Sequence, residues 1–137
     1  MAHPVGASTP EDTRENLNRA GLWLRWLRDH EPDRVVIAPW LGPLLAGHER
    51  DDVPEDRRRG LRDCAAVAAR CDGIVLVGGR VSEGMNAERR ACVFGGGLVA
   101  DLTVLGVFPP TAVQWARVSS AAGVMPIALG MLHWKLL

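Results

Sequence analysis

Tyrosine is missing from this chain of 137 residues, and so is any net charge, since 16 basic side chains face 16 acidic ones. The balance removes the electrostatic case for a nucleic-acid partner or an anionic membrane surface. Cysteine is scarce, with only Cys64, Cys71 and Cys92 present. Their number is odd, and no two have the spacing of a metal knuckle or a redox pair, so they read as reduced thiols of a cytoplasmic protein. Cys64 and Cys71, seven apart on one expected helix, share a face and are expected to pack. His3, His30, His48 and His133 are scattered and form no metal-ligand pattern. Neither a metal nor a cofactor is expected. Met1-Ala2-His3-Pro4 has neither the basic nor the apolar region of a secretory signal. The one membrane-like stretch, Ala121 to Leu137, is short for a span and carries Pro126, His133 and Lys135.

Apolar residues make up 47% of the chain, enough for one domain around one core. Thr9-Pro10-Glu11-Asp12 reads as a helix start, with Thr9 as cap, and Leu17, Ala20, Trp23, Leu24 and Leu27 follow at helical spacing until Pro32. Arg34 to Ala38 is a β-branched run expected to form a buried strand. Pro39 to Pro54 reads as loop with one helical turn at Leu44 to Gly47. Pro54 to Arg70 is helical, Ile74 to Val77 an apolar strand, Ser82 to Phe94 a helix capped by Ser82, and Leu98 to Thr103 a strand. Ala112 to Ala122 and Pro126 to Leu136 look helical.

Apolar strands alternating with helices predict a three-layer, doubly wound α/β fold with a parallel sheet of about four strands, flavodoxin- or Rossmann-like, and extra C-terminal helices. Residues 1–106 form the α/β domain and 107–137 an apolar helical extension. Only Met1 to Val5 precede the first helix, so the first strand is very short or starts before Met1. Ligands of such folds bind beyond the carboxyl ends of the strands. That rule selects three loops: His3 to Ser8, Pro39 to Leu44, and Gly78 to Gly84.

The segment from Gly78 to Glu88 joins a strand to a helix but matches neither the dinucleotide fingerprint nor the P-loop. Glu88 falls in the second turn of that helix, whose N-terminus favours an ionised carboxylate, suited to act as nucleophile or base. The blander reading, which spacing alone favours, is a solvent-facing Glu88 paired with a nearby arginine, and other residues have bland readings too. The run Arg57-Arg58-Arg59, answered by Glu49, Asp51, Asp52, Glu55 and Asp56, reads as a solvated helix face. Asp72, before a glycine and a strand, reads as a turn residue. Trp40 ends a strand on the ligand side and serves packing or stacks on a base.

Ala2-His3-Pro4-Val5-Gly6, Arg70-Cys71-Asp72-Gly73-Ile74-Val75-Leu76, and Ser82, Gly84 and Glu88 with Ala91 following resemble the nucleoside 2-deoxyribosyltransferase-like superfamily, nearest its DUF4406-type branch. The resemblance covers about residues 2 to 106. It implies a doubly wound fold, a nucleoside or nucleotide ligand, and glycosyl transfer in which Glu88 attacks C1′ to form a covalent glycosyl-enzyme. It places His3, Pro4, Val5 and Gly6 against the base, and Ser82 and Gly84, with Met85 beside them, around the sugar. The family's aspartate for the base proton falls at Cys64, which makes the adjacent Asp63 the candidate for that role. Glu83 is the nearest match to a second, sugar-proximal acid. Related enzymes are homo-oligomers. Two other readings stand beside this one: a non-catalytic nucleotide- or nucleotide-sugar-binding module, and a scaffold that assembles through the tail after Gly106.

Overall fold

The computed structural model describes residues 1–7, 9–50 and 53–121. Helix α1 (Pro10–His30) starts where the sequence signals it. The Thr9 hydroxyl accepts the Asp12 N–H at 3.1 Å, and Pro10 occupies the first turn, where a missing N–H is harmless. A short α2 (Leu41–Leu45) follows, and α3 (Pro54–Ala68) leads into β1 (Gly73–Leu76). Ser82 caps α4 (Glu83–Phe94), its hydroxyl accepting the Met85 N–H at 3.3 Å. Strand β2 (Leu98–Asp101) runs parallel to β1, Gly73 opposite Leu98 and Leu76 opposite Asp101. The Asp101 carboxylate then accepts from the Thr103 N–H at 2.9 Å and hydroxyl at 2.6 Å, turning the chain into a single 3₁₀ turn. Helix α5 (Ala112–Ala121) closes the described chain. The helix expected over Pro126 to Leu136 lies outside the described residues.

The sheet corrects the expectation of about four strands in a doubly wound, Rossmann-like arrangement. Among the described residues it has two strands, and most of the ordered chain is helical. Arg34 to Ala38 is not a strand. Val35 is 88% exposed, and the segment is held by isolated bonds rather than a ladder, among them one from the Met1 amino group to the Ile37 carbonyl at 2.7 Å. The N-terminal segment adds a single parallel bridge, Ala2 to Leu76. The Ala2 N–H donates to Val75 at 2.9 Å and its carbonyl accepts from Val77 at 3.1 Å. β-Branched composition reports how well a residue suits a pleated surface, whereas a ladder needs a neighbouring backbone along its whole length.

The uninterrupted apolar run of β1 has its expected cause, burial on both faces. Ile74 and Leu76 join Ala2, Ala68, Met85 and Cys92 in one cluster, which includes side chains of α3 and α4. Val77, with Val75 packed beside it, joins Trp23, Leu27, Leu102 and Trp115 in another, which brings in α1 and α5. Trp23 is fully buried, and its indole N–H donates to the Val107 carbonyl at 2.9 Å. Trp26 stacks on His30 at 4.0 Å and meets Trp115 edge-on at 5.1 Å. A third cluster joins Ala20, Trp40 and Cys64. No helix among the described residues is long and apolar enough to cross a membrane.

Two substitutions test this packing. Trp23→Ala should cost about 3–5 kcal/mol of unfolding free energy in urea titration. A Cβ at Gly95 would overlap the backbone carbonyl of Ala69, which cannot swing aside, so Gly95→Ala should cost more than about 1 kcal/mol despite its better helix propensity. A Gly95→Ala protein as stable as the parent would show that this contact is looser than described.

Candidate functional site

Three loops and two helices enclose a cavity of about 260 Å³. The first loop contributes His3, Val5 and Gly6, the second Trp40 and, from α2, Leu44, and the third Arg80 and Ser82. Helix α4 adds Glu83, Gly84, Met85 and Glu88, helix α3 adds Arg57, Gly60, Leu61 and Cys64, and the connection before α3 adds Glu49 and Arg50. All three loops selected by the strand-end rule therefore converge on one hollow.

Glu88 lies on the inward stripe of α4 with Met85 and Cys92, the i, i+3, i+7 spacing of a packed face. Only 7% of the residue is exposed. Its carboxylate makes no hydrogen bond or ion pair among the described residues. Loss of water pushes the Glu88 pKa up to about 7, against a weaker pull from the positive amino terminus of Met1. This reverses the expectation of a carboxylate held charged by the helix N-terminus. The dipole fades within the first turn, Glu88 stands beyond it, and desolvation wins.

His3 is the second buried polar group, 5% exposed, and neither ring nitrogen has a hydrogen-bond partner. The Pro4 backbone is near enough to favour a ring N–H slightly without completing a bond. Burial, helped by the charges of Arg19 and Arg80, lowers the His3 pKa to about 4, so the imidazole is neutral at pH 7. Its place depends on Gly78, whose φ of +95° suits glycine and where a Cβ would stand 2.7 Å from the ring. Ser82 spends its hydroxyl on the cap, and its own N–H donates to the Met85 sulfur at 3.4 Å. Gly84 is buried against Leu61. Trp40 both packs and lines the cavity, its indole N–H donating to the Met1 carbonyl at 3.3 Å.

Two expected site residues are elsewhere. Asp63 does not line the cavity: its side chain is 59% exposed and accepts from Arg62 at 3.4 Å. One residue along a helix is a turn of about 100°, so with Cys64 inward Asp63 points away. Cys64 is a neutral thiol, pushed up to about 12 by burial, then by the charges of Glu88, Glu49 and Asp63. Pro4 lines a neighbouring hollow with Arg19, Gly78, Gly79 and Arg80 instead. Sequence reasoning missed Glu49, Arg50, Arg57 and Arg80. Arg80, in a selected loop, and Arg50 sat unremarked, and Glu49 and Arg57 were read with the solvated charge run. That reading suits Arg58 with Glu55 at 2.8 Å, whereas Arg57 and Glu49 face the cavity. No group of three or more potential metal ligands occurs among the described residues.

The raised Glu88 pKa fixes a stability signature. The folded state holds its proton up to about pH 7, whereas the unfolded chain releases it near 4.5. The native state therefore binds more protons between those values. The stabilisation is complete below pH 4.5 and is lost as pH rises through about 7, a change of about 3 kcal/mol at most. Glu88→Gln should melt higher than the parent at pH 8 and close to it at pH 4.5. A variant less stable at pH 8 would contradict the burial of an unpartnered carboxyl. No family model, curated protein or solved structure matches the chain.

Proposed function

We propose that this cavity binds a nucleoside or nucleotide and that Glu88 cleaves or transfers its N-glycosidic bond. The observation that carries the reading is the Glu88 carboxyl, buried, without a partner, and lining a hollow. The volume is near the lower end of about 300–1,000 Å³ usual for small-molecule sites, which suits a nucleoside better than a dinucleotide. In this reading the ionised Glu88 attacks C1′ as the base departs, trapping an oxocarbenium-like centre, and water or a second base completes the reaction. The neutral His3 offers one donor and one acceptor to the base or a sugar hydroxyl, and the Trp40 ring offers a face for stacking. Three free cysteines suit a reducing cytoplasm, and the exposed apolar side chains of Val93, Phe94 and Leu98 suit a homo-oligomer.

A second reading, a binding module without turnover, is favoured by one feature: the position expected to handle the base proton holds a neutral thiol, and Asp63 faces solvent.

Incubation with 2′-deoxynucleosides and nucleotides, with free base measured by chromatography, separates the two. The enzyme should release base at a rate that climbs with pH through about 7, where Glu88 ionises. Glu88→Gln should lose about 10³-fold or more. Stabilisation by a nucleotide in thermal melting without base release would establish the binding module instead. Release unchanged in Glu88→Gln would remove Glu88 from the chemistry.

A further inference from the structure

We infer that the second hollow, the one that shares His3 with the cavity, is a binding site for a phosphate group. Binding there needs no chemistry from Glu88, so the inference stands apart from the glycosyl-transfer reading.

The hollow lies between α1 and the loop that follows β1. Asp12, Asn16 and Arg19 reach it from the helix, and Gly78, Gly79 and Arg80 from the loop. Its charged lining is two guanidinium groups against one carboxylate. That carboxylate, Asp12, is exposed and already accepts from the Thr9 hydroxyl at 2.7 Å. Arg80 makes no hydrogen bond or ion pair among the described residues. Arg19 spends two of its donors, one on Asn16 at 3.3 Å and one on Glu15. Glu15 is exposed and does not line the hollow, so this pairing offsets the charge of Arg19 only weakly. The Arg19 Nε is buried and has no partner.

His3 distinguishes this hollow from a merely basic surface. It lines the hollow as well as the cavity, it is 5% exposed, and both ring nitrogens lack a partner. The Nε2 edge of the ring lies against Gly78, which belongs to the hollow. Arg19 and Arg80 both disfavour the charged imidazole, so both guanidinium groups stand within electrostatic reach of it. An anion placed among the three would offset two positive charges and accept from a ring N–H. The main chain adds donors, because the N–H groups of Gly78, Gly79 and Arg80 donate to nothing among the described residues. With φ of +95° and +80°, Gly78 and Gly79 hold conformations that suit glycine, and glycine lets a ligand approach the backbone closely.

Such a wall is rich in donors and carries a net positive charge. A carboxylate brings it two oxygens and one charge. A phosphate monoester brings three terminal oxygens and nearly two charges, and guanidinium groups match phosphate oxygens in pairs. His3, Gly6 and Arg80 belong to both spaces, so the hollow adjoins the cavity. The group arrives either on a nucleotide whose base and sugar fill the cavity or as free phosphate.

Titration calorimetry at fixed ionic strength tests the site with three probes: inorganic phosphate, a 2′-deoxynucleoside and its 5′-monophosphate. If the phosphate belongs to the nucleotide, the monophosphate binds about tenfold tighter than the nucleoside or better. If it is free, inorganic phosphate binds, and nucleoside and monophosphate have equal affinities. In both cases Arg19→Gln should weaken the phosphate-dependent binding about tenfold or more and leave the nucleoside unaffected. Arg80→Gln, at an exposed and unbonded side chain, should weaken it likewise and carries the test if Arg19→Gln fails to fold. Arg58→Gln, on the solvated face of α3, should change nothing. The site is overturned if phosphate fails to bind and the monophosphate gains nothing over the nucleoside. It is also overturned if neither hollow variant weakens binding, or if Arg58→Gln weakens it as much, the mark of diffuse charge. A protein that binds phosphate without releasing base keeps this site and loses only the glycosyl reading.

Discussion

Helices α3 and α4 approach each other closely enough that side chains would hold them apart at several points. At the start of α4, a Cβ on Gly84 would meet the Leu61 side chain at 2.9 Å. Past its end, Gly95 lies on the Ala69 carbonyl, and Gly97 fits between the Cys92 sulfur and the Cys71 carbonyl. Interaxial distance is set by the side chains at the contact, and these glycines set it short. The approach seats the inward stripe of α4 against α3 and the sheet. Met85 and Cys92 thereby enter the core around Ile74 and Leu76, and Glu88, between them on the same stripe, is carried inward with them. Its carboxyl is brought to the wall of the cavity. The site is thus a consequence of helix packing rather than of the sheet.

That dependence explains which features the sequence discloses. Thr9, Pro10 and Ser82 act through backbone groups three residues away, so the starts of α1 and α4 are legible locally. The apolar run of β1 is legible because packing on both faces leaves a compositional mark. The stretch Arg34 to Ala38 carries a similar mark yet forms no strand, since a ladder is a property of two segments. Spacing put Glu88 in the second turn of α4 but suited a solvent-facing side chain at least as well, so neither its inward position nor its ionisation was legible. The helix dipole is a local quantity that can be anticipated, whereas desolvation depends on what α3, Trp40 and the first loop place around the group. Glu49 was counted among the partners of the arginine run. The only trace of its place at the cavity was Gly60, a glycine set among the charged residues of a helix face, whose missing side chain makes room for the carboxylate.

Two carboxylates of nearly equal burial show how partners decide the use of a charge. Asp56 is 8% exposed, and its pKa is held below the usual range by the Arg50 hydrogen bond, with Arg59 adding to the effect. It is a finished interaction that ties the start of α3 to the preceding connection. Glu88, equally hidden, has no such partner, and its pKa moves the other way. Similar exposure of the residue therefore does not decide the ionisation of its carboxyl; its partners and its loss of water do.

The same reasoning applies to His3, whose two ring nitrogens are buried and unbonded beside the cavity that Glu88 faces. A buried polar group without a partner typically costs about 1–3 kcal/mol relative to a satisfied one. Two such groups bordering one hollow concentrate that strain where a small molecule would enter. A ligand that offers a donor to the carboxyl and a complementary group to the imidazole recovers interactions that the fold leaves unmade. Such a gain would be largest for a compact, polar, partly aromatic molecule, because the remaining wall presents Trp40, Leu44 and Leu61 beside its charged groups. The features that make this corner of the protein thermodynamically poor are therefore those that a bound molecule would have to satisfy.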